Sequence, residues 1–183
     1  ARLVNPGPDE FDRLVWDEGT RYRWLAGGTS LVLRRIRTEL DTWEEIDRAG
    51  RELTIGRTLD TGAPLTGTAE HVEPDFGATD RYGIPVIPPS SHIARARHLH
   101  DGERFHRRAY NYDDPPEGGE ISNSGLLFAA YMADPVRTYI PVQQRLAEKD
   151  ALNTWTIPIG SAVFAIPPGA PEGGYVGQQL FEG

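Results

Sequence analysis

Apolar positions along the chain fall into four extended runs and two helical ones. SLVLRRIRTEL (Ser30–Leu40), with aliphatic residues in partial alternation, predicts a strand. Asp41 or Thr42 then caps a predicted helix. Thr42 and Glu45 have capping-box spacing, Trp43, Ile46, Gly50 and Leu53 form the inward stripe, and Gly56 ends it. Residues 57–89 are rich in Gly, Pro, Thr and Asp and read as a long connection, of a length usually kept for function. RFHRRAYNY (Arg104–Tyr112) predicts a second strand, which DDPPEGG breaks. GLLFAAYM (Gly125–Met132) is apolar on both faces and predicts a fully buried strand. Pro135 and Pro141 lead into a helix reaching Asn153, with Pro141 suited to its first turn. SAVFAI (Ser161–Ile166) predicts the last strand. Residues 1–27, with Pro6, Pro8, Gly19, Gly27, Trp16 and Trp24, read as an irregular lead-in that packs through its aromatics. The order strand, helix, strand, strand, helix, strand over 28–183 predicts an α+β, ferredoxin-like domain: an antiparallel sheet with two helices on one face.

The 183 residues suffice for one domain with a full core. No apolar run approaches the length of a membrane span. A net charge of −8 argues against a nucleic-acid binder, which carries a basic footprint, but leaves room for a local basic pocket. The absence of cysteine excludes disulfides, thiolate nucleophiles, cysteine-ligated zinc and iron–sulfur clusters. The chain begins at Ala1 and its single methionine is Met132, so a translation start upstream is expected. A cut precursor or an unrecorded upstream segment is expected. Any export signal would lie there, which leaves the compartment unread and an exported protein compatible with the sequence.

Four of the five histidines and a block of arginines crowd into SSHIARARHLHDGERFHRRAYNY (90–112), against the acidic balance of the whole. His92 follows a Pro-Pro-Ser-Ser loop. A histidine there is commonly a surface or hydrogen-bonded residue, and the sharper reading is a metal or haem-iron ligand. His98 and His100 have the spacing of a zinc pair, yet Asp101-Gly102 is a turn signal and solvated histidines flank such turns. Period two separates Arg107 from Arg108, Tyr110 and Tyr112, so one arginine should point toward the core side and need an accepting partner. Asp150 falls within the arc of Val142, Leu146 and Ala147, where a carboxylate is either a partly exposed helix-end group or the partner of a buried donor. A histidine N–H would be the informative donor.

The segments GGTSLVLRRIR, LDTWEEIDRAGRELTIGRT, TGAPL, EPDF, SHIARA, RRAYNYDD, SGLLFAAYMADPVRTYIPVQQRLA, DALN, IGSAVFAIPPG and GQQLF, in this order from Trp24 to Phe181, resemble the dye-decolourising peroxidases, a family of haem enzymes. The resemblance implies two ferredoxin-like domains with haem held against the second. Carried over by motif, His92 of SHIARA matches the proximal iron ligand, and Arg108, the second arginine of RRAYNY, matches the distal arginine. Leu126 and Phe128 of SGLLF match apolar residues over the distal haem face, and Asp150 of DALN matches the carboxylate behind the proximal histidine. The family's distal aspartate, in a GxxDGT-type motif, is absent from this sequence, and ARLVNP at its start looks like the residues just past that motif. The chain therefore resembles the C-terminal half of such an enzyme, with an N-terminal half as a separate polypeptide or a segment of a longer chain.

The resemblance implies a peroxidase with haem b (iron protoporphyrin IX). It would use hydrogen peroxide to oxidise phenolic or dye-like organic reductants in one-electron steps. Arg108 would stabilise charge as the O–O bond breaks, and Asp150 would raise the basicity of His92. Tyr110 and Tyr112 are candidate electron relays and equally candidate core residues. A non-catalytic haem-binding or haem-handling subunit and a haem-free scaffold are the rival readings. An oligomer is compatible with each of them.

Overall fold

A computed structural model describes residues 7–116 and 118–182. Within the lead-in that was expected to be irregular, Pro8–Val15 forms a helix, α1. Pro8 opens it, Asp9 and Glu10 occupy the first turn, and Arg13 closes it. The opening ARLVNP lies outside the described residues. Thr29–Thr38 forms β1. The expected helix after it is two: α2 (Leu40–Glu44) and α3 (Arg48–Ile55). The break comes at Asp47, whose side chain accepts the Gly50 N–H (2.7 Å) and starts α3 as an N-cap. The capping box is not formed: Thr42 Oγ1 donates to the Glu39 carbonyl instead, and Leu53 of the expected stripe is exposed. Trp43 packs edge-on against Trp155.

The short helix α4 (His92–Ala96) follows the long connection, and the strands β2 (His106–Asp114) and β3 (Asn123–Met132) come next. α5 spans Pro135–Lys149. It begins at Pro135, six residues before the expected first turn, because Asp134 accepts the N–H groups of Val136 and Arg137 and Pro135 fits the first position. Pro141 lies in the helix interior, where it removes one helical donor. β4 (Thr156–Ile166) and α6 (Gln178–Glu182) complete the chain.

The sheet order is β2-β3-β1-β4, every pair antiparallel, which is the ferredoxin-like arrangement expected. β4 is an edge strand, and its Pro158 sits beside a register shift between Arg35 and Ile36, where no ladder donor is required. Val32, Ala130 and Met132 form the buried core with Phe105, Phe128 and Tyr139. Tyr139 belongs to α5, and Arg34 of β1 donates to Tyr139 and Gln143 of that helix, so α5 covers the face carrying Val32, Arg34, Phe128 and Ala130. α1 packs on the opposite face at its His106 end, and the rest of that face is open. Leu33, Phe164 and Tyr110 are exposed on it, and so is Leu127, which corrects the expectation of a fully buried β3.

Glu103, just before β2, is 4% exposed, and this burial is sustained by donors. Both arms of Arg145 reach it at 2.8 Å and the Leu99 N–H at 2.9 Å. The Arg145 hydrogen bonds, opposed by burial, hold its carboxyl below the usual carboxylate range. The folded carboxyl is harder to protonate than the unfolded one. Its contribution is therefore complete above the unfolded value of ~4.3 and is lost as pH falls below it. Glu103→Gln should cost about 2 kcal/mol at neutral pH by leaving Arg145 under-paired, and should flatten the acid limb of stability against pH. Denaturant midpoints measured from pH 3 to 7 on both proteins check this.

Candidate functional site

His92 is placed by the ends of three elements. Its predecessor Ser91 is fully buried, and the Ser90 carbonyl accepts the Ala151 N–H (2.8 Å), tying the entry of α4 to the chain just past α5. On the other side Gly56 ends α3 in the left-handed region (φ 87°). A Cβ there would lie 2.6 Å from Ile93 Cγ1 and 3.0 Å from Ser91 Oγ. Glycine is thus what lets α3 close against the start of α4.

The imidazole meets a buried carboxylate. His92 Nδ1 stands 2.7 Å from Asp150 Oδ2, and Asp150 Oδ1 accepts the Leu152 N–H at 3.0 Å. Asp150 is 7% exposed, at the C-cap of α5, so the helix end fixes its position. A carboxylate that accepts at Nδ1 places the ring proton there and leaves a lone pair on Nε2. Nε2 has no hydrogen-bond partner among the described residues, and a third of the side chain is open to solvent. This is the form in which a histidine binds a metal, so the residue set fits an iron porphyrin ligated from this side.

The sheet supplies the other residues, sorted by register. Val32, Ala130 and Arg107 stand opposite one another across β1, β3 and β2. Phe128 pairs with Ala109, and Leu126 with Asn111. Arg107, Leu126 and Phe128 therefore share the face covered by α5, the helix against which α4 packs. Arg108 opposes Ala129 and lies on the other face with Tyr110 and Tyr112; Arg108 and Tyr110 are exposed and Tyr112 is half-buried. The pleat thus puts Arg107, rather than the Arg108 matched by motif, on the face of Leu126 and Phe128. Burial pushes the Arg107 guanidinium below its ordinary value, and it has no hydrogen-bond or ion-pair partner among the described residues. A desolvated cation without an acceptor is costly unless a ligand supplies one.

The remaining sequence candidates are dispersed. His98 and His100 are exposed, and His100 Nε2 approaches Glu103 at 3.4 Å. No group of three potential ligands that could hold a metal ion exists among the described residues. His106 packs on Phe11 of α1; burial, with Arg108 nearby, pushes its pKa down. Tyr112 lies under the Arg35 guanidinium at 4.4 Å, whereas Tyr110 is 61% exposed and so is not a core residue. No helix is long and apolar enough to cross a membrane among the described residues.

The chain is similar to known proteins over nearly its whole length. The family model described as Dyp-type peroxidase, C-terminal, matches residues 4–171. The dye-decolorizing peroxidase of Thermobifida fusca is 42% identical over 98% of this chain and 43% of its own length. The crystal structure of a DyP-type peroxidase from Cellulomonas bogoriensis is 54% identical, with a TM-score of 0.92 over 99% of this chain and 50% of that one. A deferrochelatase from Yersinia pestis is 33% identical over 94% of this chain and 40% of its own length. The chain belongs to the DyP-type peroxidase family, matching its C-terminal domain, and spans about half the length of the relatives it matches.

Gly56→Ala should lower stability by more than ~1 kcal/mol, since the φ is unfavourable and the new methyl meets Ile93 and Ser91. Thermal melts check the loss. Because the displaced segment carries His92, the same variant should also lose haem faster to apomyoglobin than the parent does.

Proposed function

We propose that this chain is the haem-holding half of a peroxidase that uses hydrogen peroxide to oxidise phenolic or dye-like molecules by single electrons, two molecules of reductant per peroxide and two waters formed. The observation that carries the reading is the pairing of His92 Nδ1 with buried Asp150, which leaves Nε2 unoccupied. Haem b is the group that the family resemblance implies, and this chain, having no cysteine, offers no thiol for thioether attachment of a porphyrin. When bound, the haem supplies the iron and the redox span for peroxide cleavage. His92 would hold the iron through Nε2, with Asp150 keeping its ring oriented through Nδ1. Leu126 and Phe128 present apolar surface on the sheet side and limit water there. Arg107 supplies fixed N–H donors at that face, positioned to stabilise negative charge as the O–O bond breaks.

The proton relay usually assigned to a distal aspartate is not provided by a matching motif in this chain, so it would come from an N-terminal half, either a segment of a longer chain or a separate polypeptide. Relatives about twice as long support this, as does the bare sheet face with Leu33, Leu127 and Phe164. The haem-handling alternative shares the same His92 site and differs in peroxide reactivity, so one set of variants separates the two.

In the full-length protein His92→Ala should abolish tight haem binding, read from the Soret band; unchanged occupancy would remove His92 as ligand. Arg107→Leu should retain haem and react with peroxide ~10²–10³-fold more slowly in stopped flow, while Arg108→Leu stays near the parent rate. A slow Arg108 variant beside a normal Arg107 variant would reverse the assignment. Parent protein that keeps haem and does not consume peroxide would favour haem handling.

A further inference from the structure

Beside α4 lies a cavity of about 290 Å³ whose lining includes Ala94 and Arg95 of that helix but neither His92 nor Asp150. Its apolar wall is Phe76, Ile87, Pro89 and Leu99, and its polar wall is the three guanidinium groups of Arg95, Arg97 and Arg145. This is the small end of the ~300–1,000 Å³ typical of small-molecule sites. Three cations around one hollow are unexpected in a chain of net charge −8. Only Arg145 is neutralised, by Glu103. Arg97 stacks its guanidinium on the Phe76 ring at 4.3 Å, which fixes its plane and leaves its N–H donors free. Arg95 has no hydrogen-bond or ion-pair partner among the described residues, and its Nε, like that of Arg145, is buried and unsatisfied. Buried guanidinium donors without acceptors mark a place where an acceptor is expected.

We propose that this cavity binds a small aromatic carboxylate, at a site separate from the haem. The carboxylate takes the paired donors of Arg95 in a fork, with Arg97 adding a second cation. The ring lies among Ile87, Pro89 and Leu99. Arginine suits this role because its planar donors match both oxygens of a carboxylate at once. The Glu103–Arg145 pair frames the pocket, because Arg145 also donates to the Arg97 carbonyl at 2.7 Å and so anchors the segment that carries Arg97 and Leu99.

The test is calorimetric titration of the haem-loaded full-length protein with 2-naphthoate. Binding should be saturable, and the double variant Arg95→Gln/Arg97→Gln should weaken it ~10-fold or more. The neutral analogue 2-naphthalenemethanol should bind at least ~10-fold more weakly than the acid, since charged hydrogen bonds are lost. Sulfate at equal concentration should not displace naphthoate, since it lacks the apolar body. Equal affinity for parent and double variant would overturn the proposal, and so would displacement by sulfate. Haem content is read separately from the Soret band. Its loss in the double variant would assign the arginines to the haem cleft and also overturn the proposal. A parent that binds naphthoate but takes up no haem would uphold this site while removing the peroxidase reading.

Discussion

The site depends on one hydrogen bond between residues 58 positions apart, His92 Nδ1 to Asp150 Oδ2. Asp150 can make it because it ends α5, and α5 can end there because Asp134 and Pro135 set where it begins. The same carboxylate accepts the Leu152 N–H and opens the short turn leading into β4. A helix terminus, a turn start and a ligand orientation are thus fixed by one side chain. One turn earlier on α5, Arg145 clamps Glu103 and the Arg97 carbonyl, so the helix holds the segment around α4 from both ends. The imidazole is aimed before any ligand arrives, which lowers the cost of ordering it on binding.

The sheet contributes by sorting. Antiparallel pairing with period two gives every residue of β2 and β3 a side, and α5 decides which side is interior. Arg107, Leu126 and Phe128 are placed together by that rule alone. Arg108, one residue on, faces the opposite layer, where Tyr110, Leu33, Leu127 and Phe164 are exposed. A one-residue difference in motif matching is therefore a difference between two faces of the molecule.

Much of the fold is legible in the sequence because the four strands and the long helix announce themselves by apolar content and by bounding prolines and glycines. The His92–Asp150 partnership is readable from the motifs it shares with a known family. The departures have local causes. α1 escapes the pattern because prolines and glycines flank a helix of only eight residues. The split at Asp47 is hidden because a capping-box spacing at Thr42 and Glu45 outweighs a real cap six residues beyond Asp41. β3 reads as fully buried because composition cannot say whether a second layer covers a face. Arg107 and Arg108 are distinguishable: Phe105, just before β2 and two residues before Arg107, packs against the core and marks the interior phase. The cavity under Arg95 is not legible, since residues 76 to 145 meet there only in three dimensions.

The central claim is that His92 Nε2 holds the iron while Asp150 holds Nδ1. Resonance Raman spectroscopy of the ferrous, haem-loaded protein reads that linkage directly through the iron–imidazole stretch. The account predicts that the band is present in the parent and moves to lower frequency in Asp150→Asn, because a weaker acceptor at Nδ1 makes the imidazole a poorer donor. A band at the same frequency in both proteins, or none in the parent, would contradict it.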